Sequence, residues 1–331
     1  MKKVIVAGCG GISKAWLAAV KQIDACNIVA LVDSMPGRAE AKREEQGYNC
    51  NVYTSLAHAL EKEDADIVFD LTPPEQHYNT VTTALKGGCH VFGEKPMAEN
   101  LQDAEKMILC SDDTKKEYFV MQNYRYVPEI IALKEFLNGG ELGGLGQLSA
   151  NFQLNPHFGG FRDEMQSPLI LDMSIHTFDA ARFLSGKNAL TVFCHEFNPS
   201  WSWYKGDAGA VCIFEMENGL VFDYRGCWCA SGLFTPWNSE WRIASAAGSV
   251  YWSGSDKLYW EGAGPAEGNT QNAISVKAQA YTGHAGCLAD MFNALENGKR
   301  PQTDCRDNIH SINMVYKAIE SSKTKKLVNM V

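Results

Sequence analysis

At 331 residues, 45% hydrophobic and 21% charged, the chain is long enough for two domains with sizeable cores. Its 30 Lys and Arg against 39 Asp and Glu leave a formal charge of −9, so neither nucleic acid nor an anionic membrane surface is an expected partner. No apolar run reaches the roughly 18 residues needed to span a bilayer, and "MKKVIVAGCGG" begins like a secretory leader but meets glycines too soon.

The elements alternate from the start. "KVIVAG" is a short continuous apolar run, as suits a parallel strand buried on both faces. A helix follows from about Ser13 to Asp24, then "NIVALVD", a helix beginning near Pro36, "ADIVFDL", a helix near Glu75–Lys86, and "HVFGEK". Another helix, about Asn100–Ser111, leads to "YFVMQN". Strand and helix in turn predict a doubly wound α/β domain.

The first strand–helix junction reads Gly8-Cys9-Gly10-Gly11-Ile12-Ser13. A dinucleotide fingerprint has glycine at the first, third and sixth positions, so Ser13 is a small departure. Glycines there let the backbone turn tightly and approach a pyrophosphate, which then lies on the N-terminal dipole of the helix. Asp33 ends the second strand 20 residues beyond Ser13, where an acidic group accepts from the adenosine ribose hydroxyls. This favours NAD, with NADP as the alternative, because Ser34 and Arg38 stand ready to hold a 2′-phosphate.

After "NYRYVPE" the pattern changes. "GQLSANFQL", "TVFCHEF", "AGAVCIFEME", "GLVFDYRGCW", "EWRIASAAGSVYW" and "KLYWEG" show the partial alternation of a largely antiparallel sheet with one covered face. Asn218-Gly219 is a hairpin turn between two of them. Residues 282–297 and 306–322 read as closing helices. The change of pattern sets the expected division at residues 1–122, which carry the nucleotide motif, and 123–331. Eleven cysteines, an odd number, lie singly apart from Cys227 and Cys229. They offer no paired cluster for a structural zinc, so no metal is expected, and free thiols point to a reducing cytoplasm.

In "LILDMSIHTF", Asp172 and His176 stand four residues apart in an oily run, with Asp179 three residues further on. On an α-helix these share a face. A carboxylate beside His176 would fix one imidazole tautomer and suit it to general-base work. From these residues alone, a structural pair satisfying itself under an interface is the favoured reading. Asp179 reads as a packing or salt-bridge residue.

Two further stretches decide between them. "LTPPEQH" (71–77) and "GEKP" (93–96) end successive strands, and with the glycine loop, Asp33 and "LDMSIH" they arrive in one order. The whole chain thereby resembles the Gfo/Idh/MocA oxidoreductases. That resemblance implies a Rossmann domain followed by an α+β domain with a large, mostly antiparallel, open-faced sheet, hence a homodimer or homotetramer. It places Gly8, Gly10, Gly11, Ile12, Asp33, Ser34, Arg38, Thr72, Pro73, Pro74, His77, Glu94, Lys95 and Gln122 along the cofactor. It also implies a cis Lys95–Pro96 bond. Lys95, Asp172 and His176 would be catalytic: His176 takes the alcohol proton, Lys95 stabilises the alkoxide and Asp172 orients the pair.

The implied activity is hydride transfer between NAD and a hydroxyl of a sugar, sugar derivative or cyclitol. Alternatives are an enzyme that retains NAD to cleave or epimerise glycosides by transient oxidation, and a non-enzymatic dinucleotide sensor. Sensors of this kind tend to lack the lysine that Lys95 supplies. Asn155, His157 and Arg162, in the loop before the catalytic helix, and Trp237 are the candidate substrate contacts. The other tryptophans beyond residue 200 read mostly as sheet core.

Overall fold

In the computed structural model, which describes residues 1–264 and 270–330, the expected alternation is present. β1 (Lys2–Ala7), α1 (Ser13–Ile23), β2 (Cys26–Val32), α2 (Arg38–Gln46), β3 (Asn51–Tyr53), α3 (Leu56–Lys62), β4 (Ile67–Asp70), α4 (Pro74–Lys86), β5 (His90–Gly93), α5 (Leu101–Thr114) and β6 (Tyr118–Val120) follow one another. β3 and α3 are additional to the elements expected from pattern. Among the described residues, β1–β6 form a parallel sheet in the order β3-β2-β1-β4-β5-β6. The order reverses between β1 and β4, and ligands of open α/β sheets bind outside the strand ends at such a point.

The ends of those two strands are in close contact. Gly8 adopts φ +99°, and a Cβ there would stand 2.4 Å from the Leu71 carbonyl oxygen, so only glycine fits. Beneath them Phe69 packs 5.0 Å from Trp16 and 5.8 Å from Phe92 (ring centroids), with Phe292 edge-on to both. Truncating any of these buried rings would cost about 3–5 kcal/mol.

The remaining elements are α6 (Pro128–Gly139), β7 (Leu145–Gln153), α7 (Phe161–Glu164), α8 (Ile175–Ser185), β8 (Ala189–Phe197), β9 (Gly209–Met216), β10 (Val221–Cys227), β11 (Glu240–Ser245), β12 (Gly248–Trp252), β13 (Leu258–Gly262), β14 (Asn272–Ala273), α9 (Gly283–Glu296), α10 (Cys305–Thr324) and β15 (Val328–Asn329). Among the described residues, nine of these strands make a second sheet, order β14-β13-β12-β11-β7-β10-β9-β8-β15, antiparallel except where β10 meets β7. Asn218 (φ 63°) and Gly219 (φ 75°) turn β9 into β10, as the Asn-Gly pair predicts. On the covered face Phe178 of α8 meets Phe214 and Tyr224 edge-on at 4.9 and 5.2 Å. Trp228, Trp241 and Trp252 are buried, as expected of sheet core.

The chain forms two compact units, 1–126 with 280–309, and 127–279 with the residues from 310 onward. The expected division at 122/123 therefore differs in two respects: the first unit runs on to Tyr126, and 280–309 belong with it. The reason is α9, whose Leu288, Met291 and Phe292 join Trp16, Phe69 and Phe92 in one apolar cluster. Among the described residues, no helix is long and apolar enough to cross a membrane.

Candidate functional site

The glycine turn of the first unit is built for close approach. Cβ atoms placed on Gly10 or Gly11 meet nothing within 4 Å, so the backbone lies open in front of α1. Ser13, in place of a third glycine, is buried and donates through Oγ to the Gly10 carbonyl at 2.6 Å, bracing the turn from inside. Burial, reinforced by Asp33, pushes the Cys9 thiol up to about 12, so Cys9 is a neutral packing group. Asp33, buried at the end of β2, accepts from the Cys9 N–H and the Met35 N–H, both at 2.9 Å. Arg38 Nη1 stands 3.8 Å from Asp33 Oδ1, while Ser34 is exposed.

Past β4, Thr72 Oγ1 and N–H donate to buried Asp70 at 2.5 and 3.1 Å. Burial holds the Asp70 carboxyl above its ordinary range, opposed by His77 and Thr72. His77 is itself buried, with Nδ1 2.8 Å from the Pro96 carbonyl and Nε2 2.8 Å from the Thr72 carbonyl. His77 thus joins two turns through their backbone carbonyls. Pro73 is exposed at the start of α4 and Pro74 opens that helix.

Past β5, Glu94 also faces inward. It accepts from Trp16 Nε1 at 2.6 Å and from the Lys95 N–H at 2.9 Å, so it shapes the Lys95 turn. The Lys95–Pro96 bond is cis. Gln122, just past β6, is fully buried, and among the described residues both its amide atoms are without a protein partner. Buried amides left so call for a ligand or ordered water. An open glycine turn, an acceptor at Asp33 and this amide fit a dinucleotide.

His284, at the start of α9, escapes the sequence reading. Burial lowers its basicity below the ordinary histidine range, with Glu94 raising it and Lys95 lowering it further. Only "YTGHAG" marks it in the sequence, and nothing there points to Glu94 or Lys95.

In the second unit, residues 169–174 are a π-helix leading into α8, which corrects the expected uninterrupted α-helix. The i→i+5 bonding changes the angular spacing on which the shared face of Asp172 and His176 rested, and such turns recur at functional sites. Tyr224 pins it, its hydroxyl 3.0 Å from Ser174 Oγ, which donates to the Leu169 carbonyl. His176 is buried in the first turn of α8. Asp172 Oδ2 accepts from Arg162 Nε at 2.5 Å. Asp179 is structural, accepting from Ser311 Oγ at 2.6 Å with Arg182 nearby.

Of the substrate candidates, Arg162 is thus joined to Asp172. Its guanidinium lies 5.2 Å from the Phe158 ring and 4.7 Å from the Phe161 ring. Trp237, partly exposed, stands 6.2 Å from Phe158. His157 is elsewhere engaged, stacked on Trp203 at 3.6 Å, and Asn155 is half-buried in the same loop.

Residues 2–122 match the family model described as "Oxidoreductase family, NAD-binding Rossmann fold", and residues 130–251 match the "GFO/IDH/MocA C-terminal domain". The chain belongs to the GFO/IDH/MocA oxidoreductase family. Its first unit is accordingly an NAD-binding domain. D-apiose dehydrogenase of Paraburkholderia graminis is 27% identical over 341 residues, 98% of this chain and 88% of that one. Inositol 2-dehydrogenase of Rhizobium meliloti is 28% identical over 195 residues, 56% of this chain and 55% of that one. An oxidoreductase from Agrobacterium radiobacter, solved with NAD+, L-tartaric acid and magnesium, superposes with a TM-score of 0.88 at 22% identity, over 99% of this chain and 98% of that one.

Proposed function

We propose that this GFO/IDH/MocA oxidoreductase is a dehydrogenase of a sugar, sugar derivative or cyclitol hydroxyl. The observation that carries the reading is Asp172: a carboxylate on a π-turn, held by Arg162 at 2.5 Å, four residues before a buried imidazole, in a chain that also has an NAD-binding unit. The relatives named for apiose and inositol support the substrate class.

NAD supplies hydride-accepting chemistry when bound. The glycine turn, Ile12 and Asp33 would hold its pyrophosphate and ribose, with Thr72, Pro73 and Pro74 along its length and Gln122 and the Glu94-Lys95 turn beyond. In this reading His176 takes the hydroxyl proton, and Asp172 orients and charge-balances the acid–base group. Lys95 places a positive charge against the oxygen on which negative charge develops.

The test is a panel of sugars and cyclitols offered with NAD, read by the ultraviolet absorbance of reduced nicotinamide. Turnover on any of them supports the reading. NAD binding with no turnover across the panel favours a sensor, and nucleotide absorbance in the freshly purified protein would mark a retained cofactor instead.

A homodimer or homotetramer in a reducing cytoplasm completes the proposal. Its support is the outer face of β8 and β9, where Phe193 is paired with Ile213 and both are more than 40% exposed. Sedimentation equilibrium tests it: a monomer would overturn it.

A further inference from the structure

We propose that Arg162 is a carboxylate clamp and that the substrate is a sugar acid, a polyol carrying a carboxylate beside the hydroxyl that reacts. The inference rests on the dehydrogenase reading above and narrows its substrate class.

Arg162 gives its Nε–H to Asp172, and the Phe158 and Phe161 rings lie 5.2 and 4.7 Å from its centre. These contacts fix its plane, so little rotamer freedom remains to be lost on binding. Among the described residues, Nη1 and Nη2 make no hydrogen bond, and the side chain is 31% exposed. A guanidinium anchored through Nε presents the outer pair of nitrogens as a fork, whose parallel N–H groups match the two oxygens of a carboxylate. Neutral hydroxyls use such a fork poorly, since they offer one oxygen each.

The surrounding charges select among anions. Asp172 is in contact with Arg162, Asp163 and Glu164 follow it, and Lys205 pairs with Glu164 at 3.1 Å. Three carboxylates against two cations admit a singly charged group more readily than a doubly charged phosphate. The clamped carboxylate would lie beside Asp172, the residue assigned to the acid–base set. Phe158 and Trp237, 6.2 Å apart, supply apolar faces for the C–H side of a short polyol.

The test titrates the NAD-saturated protein with matched probes: D-gluconate against D-glucitol, D-glucuronate against D-glucose, and D-glucose 6-phosphate as the phosphate arm. Binding is read by tryptophan fluorescence and turnover by nicotinamide absorbance. The expected result is that at least one acid binds about 10- to 100-fold tighter than its neutral counterpart. Arg162→Gln should erase that preference, and Arg162→Lys should restore part of it. Equal affinity for acid and neutral probes overturns the inference, as does preference for the phosphate alone or an acid preference that survives Arg162→Gln. The wild-type comparison needs no variant, so a misfolded Arg162→Gln protein does not spare it. Neutral polyols oxidised as fast as the acids would overturn the clamp and leave the dehydrogenase standing. Tight acid binding with no hydride transfer would do the reverse.

Discussion

His77 and Pro96, 19 residues apart, are joined by a 2.8 Å hydrogen bond from imidazole to backbone carbonyl, while the other ring nitrogen holds the Thr72 carbonyl. One buried ring thus fixes two turns at the strand ends. His77→Leu removes the ring that ties the Pro96 and Thr72 carbonyls together. The expected loss is about 2–5 kcal/mol of stability, read by urea unfolding, accompanied by weaker NAD binding. A variant that keeps its stability but loses NAD would make His77 a direct ligand after all.

Asp33 is the point of choice between cofactors. Asp33→Asn keeps an acceptor for the Cys9 N–H but removes the charge that repels a 2′-phosphate, leaving Arg38 free to meet one. The ratio of kcat/KM with NADP to that with NAD should rise about tenfold. A wild type that works better with NADP would contradict the assignment.

Lys95→Met and His176→Ala separate chemistry from binding. Lys95→Met keeps the aliphatic stem, so Tm should barely move and NAD affinity should change by less than about tenfold, while the barrier to turnover rises by about 3–4 kcal/mol. His176→Ala should lose about 10²–10⁴ in kcat. If residual turnover of the lysine variant scales with its NAD affinity, Lys95 is a cofactor clamp.

Stability should depend on pH through Glu196, whose carboxyl burial pushes up to about 7, with Asp207 adding to the rise and Ser167 opposing it. The folded state holds a proton that the unfolded chain releases near pH 4.3, the ordinary value. The contribution is therefore complete below about pH 4.3 and lost as pH rises through about 7. It amounts to at most about 4 kcal/mol. Glu196→Gln should flatten the fall in Tm between mildly acidic and mildly alkaline buffer. An unchanged slope would place the titration elsewhere.

Much of this is legible in the sequence, and the exceptions share a cause. The glycine turn, Asp33 and the strand–helix alternation are written in local pattern, where spacing and burial coincide. β3 is three residues long, Asn51–Tyr53, too short for a period to show. Residues 169–174 are so uniformly apolar around Asp172 that a π-turn and an α-turn leave the same trace. The apolar stripe of α9 marks it as a packed helix but does not say which sheet it covers. Partnerships set by tertiary contact were equally hidden: Arg162 with Asp172, His77 with two carbonyls, and the environment of His284.

The return of 280–309 to the first unit has a consequence for how the protein is made. Phe292, Leu288 and Met291 complete the apolar cluster around Phe69 and Phe92. On the ribosome, however, residues 127–279 are synthesised between the two parts. At about 5–20 residues per second, roughly 8–30 s pass in which the parallel sheet exists without the helix that covers those phenylalanines. For that interval the nascent chain displays an uncovered aromatic surface, the kind of surface that chaperones shield until the rest of a domain is made.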